Sequence, residues 1–141
     1  MEERYLFKAK FDDSDRWVKG QLVEVNDTYL IIPNHASKIL AGWFSTSNFV
    51  EVKKDTICQC TGLKDKNGKL IWENDIVAYW DTYSTESGYA EADCIGKVVW
   101  DAETISFQVT NRLSAESYEV LDECSVIGNI FDNPELLESE E

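Results

Sequence analysis

Base is what this sequence has least of. Its 141 residues include 13 Lys and Arg against 27 Asp and Glu, with one His, for a formal net charge of −14. A nucleic-acid binder needs a basic footprint to displace phosphate counterions, so the balance weighs against DNA and RNA as partners. It weighs equally against docking on anionic lipid. The single histidine, His35, sits in a Pro-Asn-His-Ala-Ser stretch with no nucleophile elbow, which leaves a Ser-His-Asp or Cys-His device without parts. The seven glycines are scattered at turn-like places rather than gathered into a phosphate cradle. The longest greasy uncharged stretch, Ile39 to Val50, is too short and too polar for a membrane-spanning helix. No basic leader follows Met1, so the expected compartment is the cytoplasm.

Four cysteines read accordingly as reduced, small hydrophobes. Cys58 and Cys60 share one face of a strand-like run, while Cys94 and Cys124 stand alone with no partner at zinc-ligand spacing. No metal, cofactor or catalytic residue is therefore assigned. Glu73 with Asp75, and Asp101 with Glu103, are i, i+2 carboxylate pairs that suit a hard cation or a metal-dependent hydrolase. Both pairs fall at turns, where aspartate commonly caps backbone, and that role is the expected one.

The charge is lopsided. Residues 1–70 hold 11 bases and 10 acids, whereas residues 71–141 hold only Lys97 and Arg112 against 17 acids. Solvated acidic surface explains this economically. A sharper reading aims that surface at a basic host protein, as an acidic decoy. The only basic cluster, Lys64, Lys66 and Lys69, is small beside so much acid.

What is abundant is aromatic and alternating. Forty-three per cent of residues are apolar and 12% aromatic, enough to build a core in a single domain of this length. The dominant period is two, the mark of half-buried strands. Strands are expected at Tyr5–Phe11, Trp17–Val25 and Tyr29–Ile32, forming a hairpin or meander, with Gly20 a point of close packing. Residues 34–48 are ambiguous. Phe49–Lys53 and Thr56–Thr61 are extended, and Asn67-Gly68 supplies the two positive-φ residues of a tight hairpin turn before Leu70-Ile71-Trp72. Further strands follow at Ile76–Trp80, Lys97–Trp100, Ile105–Val109, Tyr118–Leu121 and Cys124–Ile130. Residues 81–93, acidic and without a base, read as a surface loop or a floppy hairpin tip. Asp132-Asn133-Pro134-Glu135 starts a short C-terminal helix. Trp17, Trp72 and Trp100 are read as core, whereas Trp80, Tyr83 and Tyr89, beside Glu86, form a candidate interaction surface. The fold expected is a mainly β, antiparallel, barrel-like domain of many short strands with one short helix.

The run Thr56-Ile57-Cys58-Gln59-Cys60-Thr61-Gly62-Leu63-Lys64-Asp65-Lys66-Asn67-Gly68-Lys69-Leu70-Ile71-Trp72-Glu73-Asn74-Asp75-Ile76-Val77 resembles the central signature of the YopX family of phages and prophages. Val98-Val99-Trp100 and Val126 to Leu137 are similar to its later motifs, and Arg16-Trp17 to Leu22 to its N-terminal piece. Cys58 and Asn74 stand where the pattern has glycine, and Asn tolerates the left-handed backbone. The resemblance implies one domain over 1–141, with N-terminal strands at about 4–53, a signature region at about 56–137 and an acidic tail at 138–141. It also implies an all-β, non-catalytic protein that assembles into homo-oligomers, hexameric by family resemblance, in the bacterial host. Its motifs are turns: Thr61-Gly62, Asp65, Asn67-Gly68, Asn74-Asp75 and Gly128-Asn129.

Overall fold

Alternating side chains and turn residues draw residues 7–33 into the expected meander, as seen in a computed structural model that describes residues 5–33, 49–110, 117–119 and 123–138. Strands β1 (Phe7–Lys10), β2 (Trp17–Val25) and β3 (Thr28–Pro33) pair antiparallel in sequence order. The β2–β3 turn puts Asn26 and Asp27 at φ of 50° and 66°, a left-handed pair that these two residue types tolerate. Strand β4 (Val50–Glu51) adds beside β3, and β5 (Cys58–Lys64) beside β1. Between them a 3-10 turn, Lys54–Thr56, aims the Thr56 hydroxyl at Lys10, whose backbone N–H donates to it at 2.9 Å. The ambiguous 34–48 stretch and His35 lie outside the described residues.

The chain divides into two units, Met1–Cys60 and Thr61–Glu141, with the boundary inside β5. In the first, Ala9, Val18, Ile31 and Val52 form a core lined by Phe11, Leu22 and Tyr29. Gly20 faces Ile32 so closely that an added Cβ would strike the Ile32 carbonyl, the close packing read from its place in a strand. Trp17 is not core. It is half-buried, with the ammonium groups of Lys8 and Lys10 at 4.8 and 5.5 Å from its ring centre.

In the second unit, β6 (Leu70–Trp72) follows β5 as its sheet neighbour, giving the order β4-β3-β2-β1-β5-β6. A five-stranded antiparallel sheet has the order β10-β9-β8-β7-β11, from β7 (Asp75–Thr85), β8 (Gly88–Asp101), β9 (Ser106–Thr110), β10 (Ser117–Glu119) and β11 (Ser125–Asn129). Among the described strands neither sheet closes on itself. Ile71, Val77, Val98, Val109 and Cys124 make the core, with Tyr79, Phe107 and Val126 packed against it. Trp72 is buried as expected. Trp100 is not: it is 47% exposed, with its ring edge-on to Phe107 at 5.0 Å. The period-two pattern chose the correct face of β8, which Trp100 shares with Val98, but that face is uncovered at its end. The short terminal helix is present as α1 (Glu135–Glu138).

Of the two readings of 81–93, loop or hairpin tip, the structure shows the hairpin, and as continuous ladder. Residues 81–85 and 88–93 are the outer halves of β7 and β8, paired from Trp80–Asp93 to Thr85–Gly88. Asp, Glu and Ser suggest a loop, but Thr82, Tyr83, Thr85 and Tyr89 are strand formers that need only a partner, and each arm provides one for the other.

Candidate functional site

The motif turns come together around one carboxylate. Asp65 directly follows β5 and is only 5% exposed. Its backbone carbonyl accepts the Gly68 N–H at 3.0 Å, and its own N–H donates to the Lys69 carbonyl at 2.8 Å. Gly68 takes φ of 83° while Asn67 does not join it in the left-handed region. The turn is therefore a three-residue loop closed by a left-handed glycine, not the two-residue turn expected from Asn-Gly. The reason is Asp65 itself. Its Oδ1 accepts the N–H groups of Asn67 and Lys69, both at 2.9 Å, which holds the intervening residues in the wider loop.

The other oxygen reaches across the unit. Oδ2 of Asp65 accepts the N–H of Val126 in β11 at 2.9 Å. Beside it, the Lys66 N–H donates to the Cys124 carbonyl at 3.0 Å and Asn67 Nδ2 to the Ser125 hydroxyl at 3.2 Å. Burial pushes the Asp65 carboxyl up, but the N–H donors of Val126, Lys69 and Asn67, with the Lys69 charge, outweigh it and hold the group below its ordinary 3.8.

The remaining turn residues do comparable structural work. The Thr61 hydroxyl donates to the Ile71 carbonyl at 2.7 Å and accepts the Leu63 N–H, beside Gly62 at φ of 81°. Asn74 adopts φ of 70°, the left-handed turn in which asparagine substitutes for glycine. Its N–H donates to the Val98 carbonyl and its carbonyl accepts from Ile130. Buried Asp75 accepts the Trp72 N–H through Oδ2 at 2.8 Å. Asp101 similarly accepts the Glu103 N–H, so one acid of each pair caps a turn. A Cβ on Gly128 would meet Asn133, whose Oδ1 accepts the Asn129 N–H, and Asn129 Oδ1 in turn accepts from Phe131 and Asp132. The two stretches that carry most of the motif, 61–77 and 124–133, are thus sewn to each other.

A profile of the family described as YopX protein matches residues 6–138. This chain belongs to the YopX family. A search of curated proteins finds no match to it. What the YopX motifs do in this chain is now concrete: they build turns and bind β11 to the Asp65 loop. Among the described residues no group of three or more His, Cys, Asp or Glu side chains could hold a metal ion.

The candidate interaction surface lies elsewhere on the sheet. Trp80 is 59% exposed on β7 and Glu86 is exposed at the ribbon tip. Tyr83 falls in β7 and Tyr89 in β8, while their side chains lie outside what the structure describes. One exposed feature escaped the sequence. Ile105, in the β8–β9 turn, has φ of 54° and is 74% exposed. A β-branched residue is strained there, and no turn signal marks the position in advance.

Proposed function

We propose that this YopX protein is a non-catalytic phage or prophage accessory protein that works in the host cytoplasm as a barrel-like homo-oligomer, through protein–protein contacts. The observation that supports this best is the β7–β8 ribbon with Trp80 standing exposed on it. Large exposed aromatics on a rigid sheet are the usual anchors of protein interfaces. Trp100, exposed beyond Phe107, offers a second anchor. Chromatography with light scattering on micromolar protein tests the reading. A mass several times that of the 16.1 kDa chain, up to a hexamer, supports it, and a monomer would sink it.

The charge of residues 71–141 favours a second reading, an acidic decoy that occupies the nucleic-acid site of a basic host protein. Such a complex weakens steeply with salt. A partner whose binding ignores salt counts against it.

A further inference from the structure

Two exposed turns of Thr61–Glu141 carry opposite charge. The β8–β9 turn, residues 102–105, is closed by the Asp101–Ser106 pair and braced from within. Gln108 Nε2 donates to the Ser106 hydroxyl at 2.7 Å, and the Asp101 carboxylate accepts the Glu103 N–H at 2.9 Å. Trp100 and Ile105 stand exposed here, with Asp101 and Glu103 at the same end of the hairpin. Ile105 holds φ of 54°, and backbone strain of this kind gathers at binding sites. The Asp65 loop presents the reverse charge. Lys64, Lys66 and Lys69 are exposed beside Leu63, itself 44% exposed, and are three of the five bases in residues 61–141. They outnumber exposed Glu123, the residue before the Cys124 whose carbonyl takes the Lys66 N–H. Among the described residues no salt bridge takes up Lys64, Lys66 or Glu103. The loop is bonded to β11 and the turn closes β8, with β7 between those two strands.

We infer that the β8–β9 turn of one chain docks on the Asp65 loop of a second copy, resting on the reading that the chain is a homo-oligomer. Trp100 and Ile105 meet Leu63 and the lysine stems, while Asp101 and Glu103 meet the ammonium groups of Lys64, Lys66 and Lys69. The contact is heterologous. Each copy offers its turn to one neighbour and its loop to another, so the contact repeats into a closed ring or a filament. It also sets base against acid in a chain whose net charge of −14 otherwise repels its copies. The apolar contacts carry the affinity, because exposed ion pairs contribute little, and the charges choose the register.

Two charge-reversed full chains test this by sedimentation at low salt. One carries Lys64→Glu with Lys66→Glu, the other Ala102→Lys with Glu103→Lys, all at exposed positions. Each alone sets like charges against each other, and its dissociation constant is expected to rise on the order of a hundredfold. Mixed in equal amounts the two should reassemble to the native mass. The lysine turn of one then meets the glutamate loop of the other, and their unaltered turn and loop meet as in the native chain. An unfolded variant could not be rescued in this way. Ile105→Asn supplies an independent arm, because it relieves the backbone while removing the apolar contact. It should raise the melting temperature of the dilute monomer yet weaken assembly on the order of tenfold. A native multimer that ignores both charge reversals overturns the inference and leaves the oligomer standing. So do dissociated variants that keep a cooperative melting transition but stay apart on mixing, and so does an Ile105→Asn chain that assembles as tightly as the native one. A native chain that is monomeric overturns the oligomer and this contact together.

Discussion

Asp65 and Val126, sixty-one residues apart, are joined by a 2.9 Å hydrogen bond from the Val126 N–H to a buried carboxylate oxygen. The same side chain holds its own hairpin loop through Asn67 and Lys69. One residue thus fixes a local turn and anchors the strand β11 that borders β7.

Asp65→Asn keeps the shape but replaces one acceptor oxygen with an amide donor that faces an N–H. Charge-assisted bonds of this kind contribute about 1.5–3 kcal/mol each, and the variant is expected to lose about 2 kcal/mol in urea denaturation. Alanine should cost more, because it strands all three donors.

Acid should act through the same group. The folded carboxyl titrates below 3.8, so its stabilisation is fully present above that value and is lost as pH falls through the lower folded value. The stability of the native chain is expected to fall through this window more steeply than that of Asp65→Asn, measured by denaturation at stepped pH.

Two left-handed residues should respond in opposite directions. Asn74 suits φ of 70°, and Asn74→Val is expected to cost about 1–2 kcal/mol. Ile105 does not suit φ of 54° and touches mostly solvent, so Ile105→Asn should stabilise by about 1 kcal/mol. Melting temperatures of the two variants check both signs.

The glycines divide by what surrounds them. Gly20→Ala drives a methyl into the Ile32 backbone and is expected to cost about 3 kcal/mol. Gly68→Ala meets nothing within 4 Å and pays only for its φ of 83°, about 1 kcal/mol. Denaturant midpoints should rank them in that order.

Much of this was legible beforehand, for definable reasons. Alternation along residues 7–33 reports which side chains share a face, and turn residues report where the chain reverses, so the meander and the hairpin at Asn67-Gly68 follow from local chemistry. Coverage of a face is not local. Trp17 and Trp100 occupy strand positions indistinguishable in pattern from Trp72, yet only Trp72 is buried. At 81–93 composition leaves loop and hairpin tip both open, because the pairing that decides between them depends on the opposite arm. Asp65 reads as a turn aspartate, and its second role lies sixty-one residues away.

The most direct test of the functional account is sedimentation equilibrium of the full chain from low salt to about 1 M, where the screening length falls to about 3 Å. A net charge of −14 repels like chains, so an assembly held by exposed aromatics should persist and tighten as salt rises. The account predicts a mass several times 16.1 kDa that holds or grows across the series. A 16.1 kDa species at every salt concentration would contradict it.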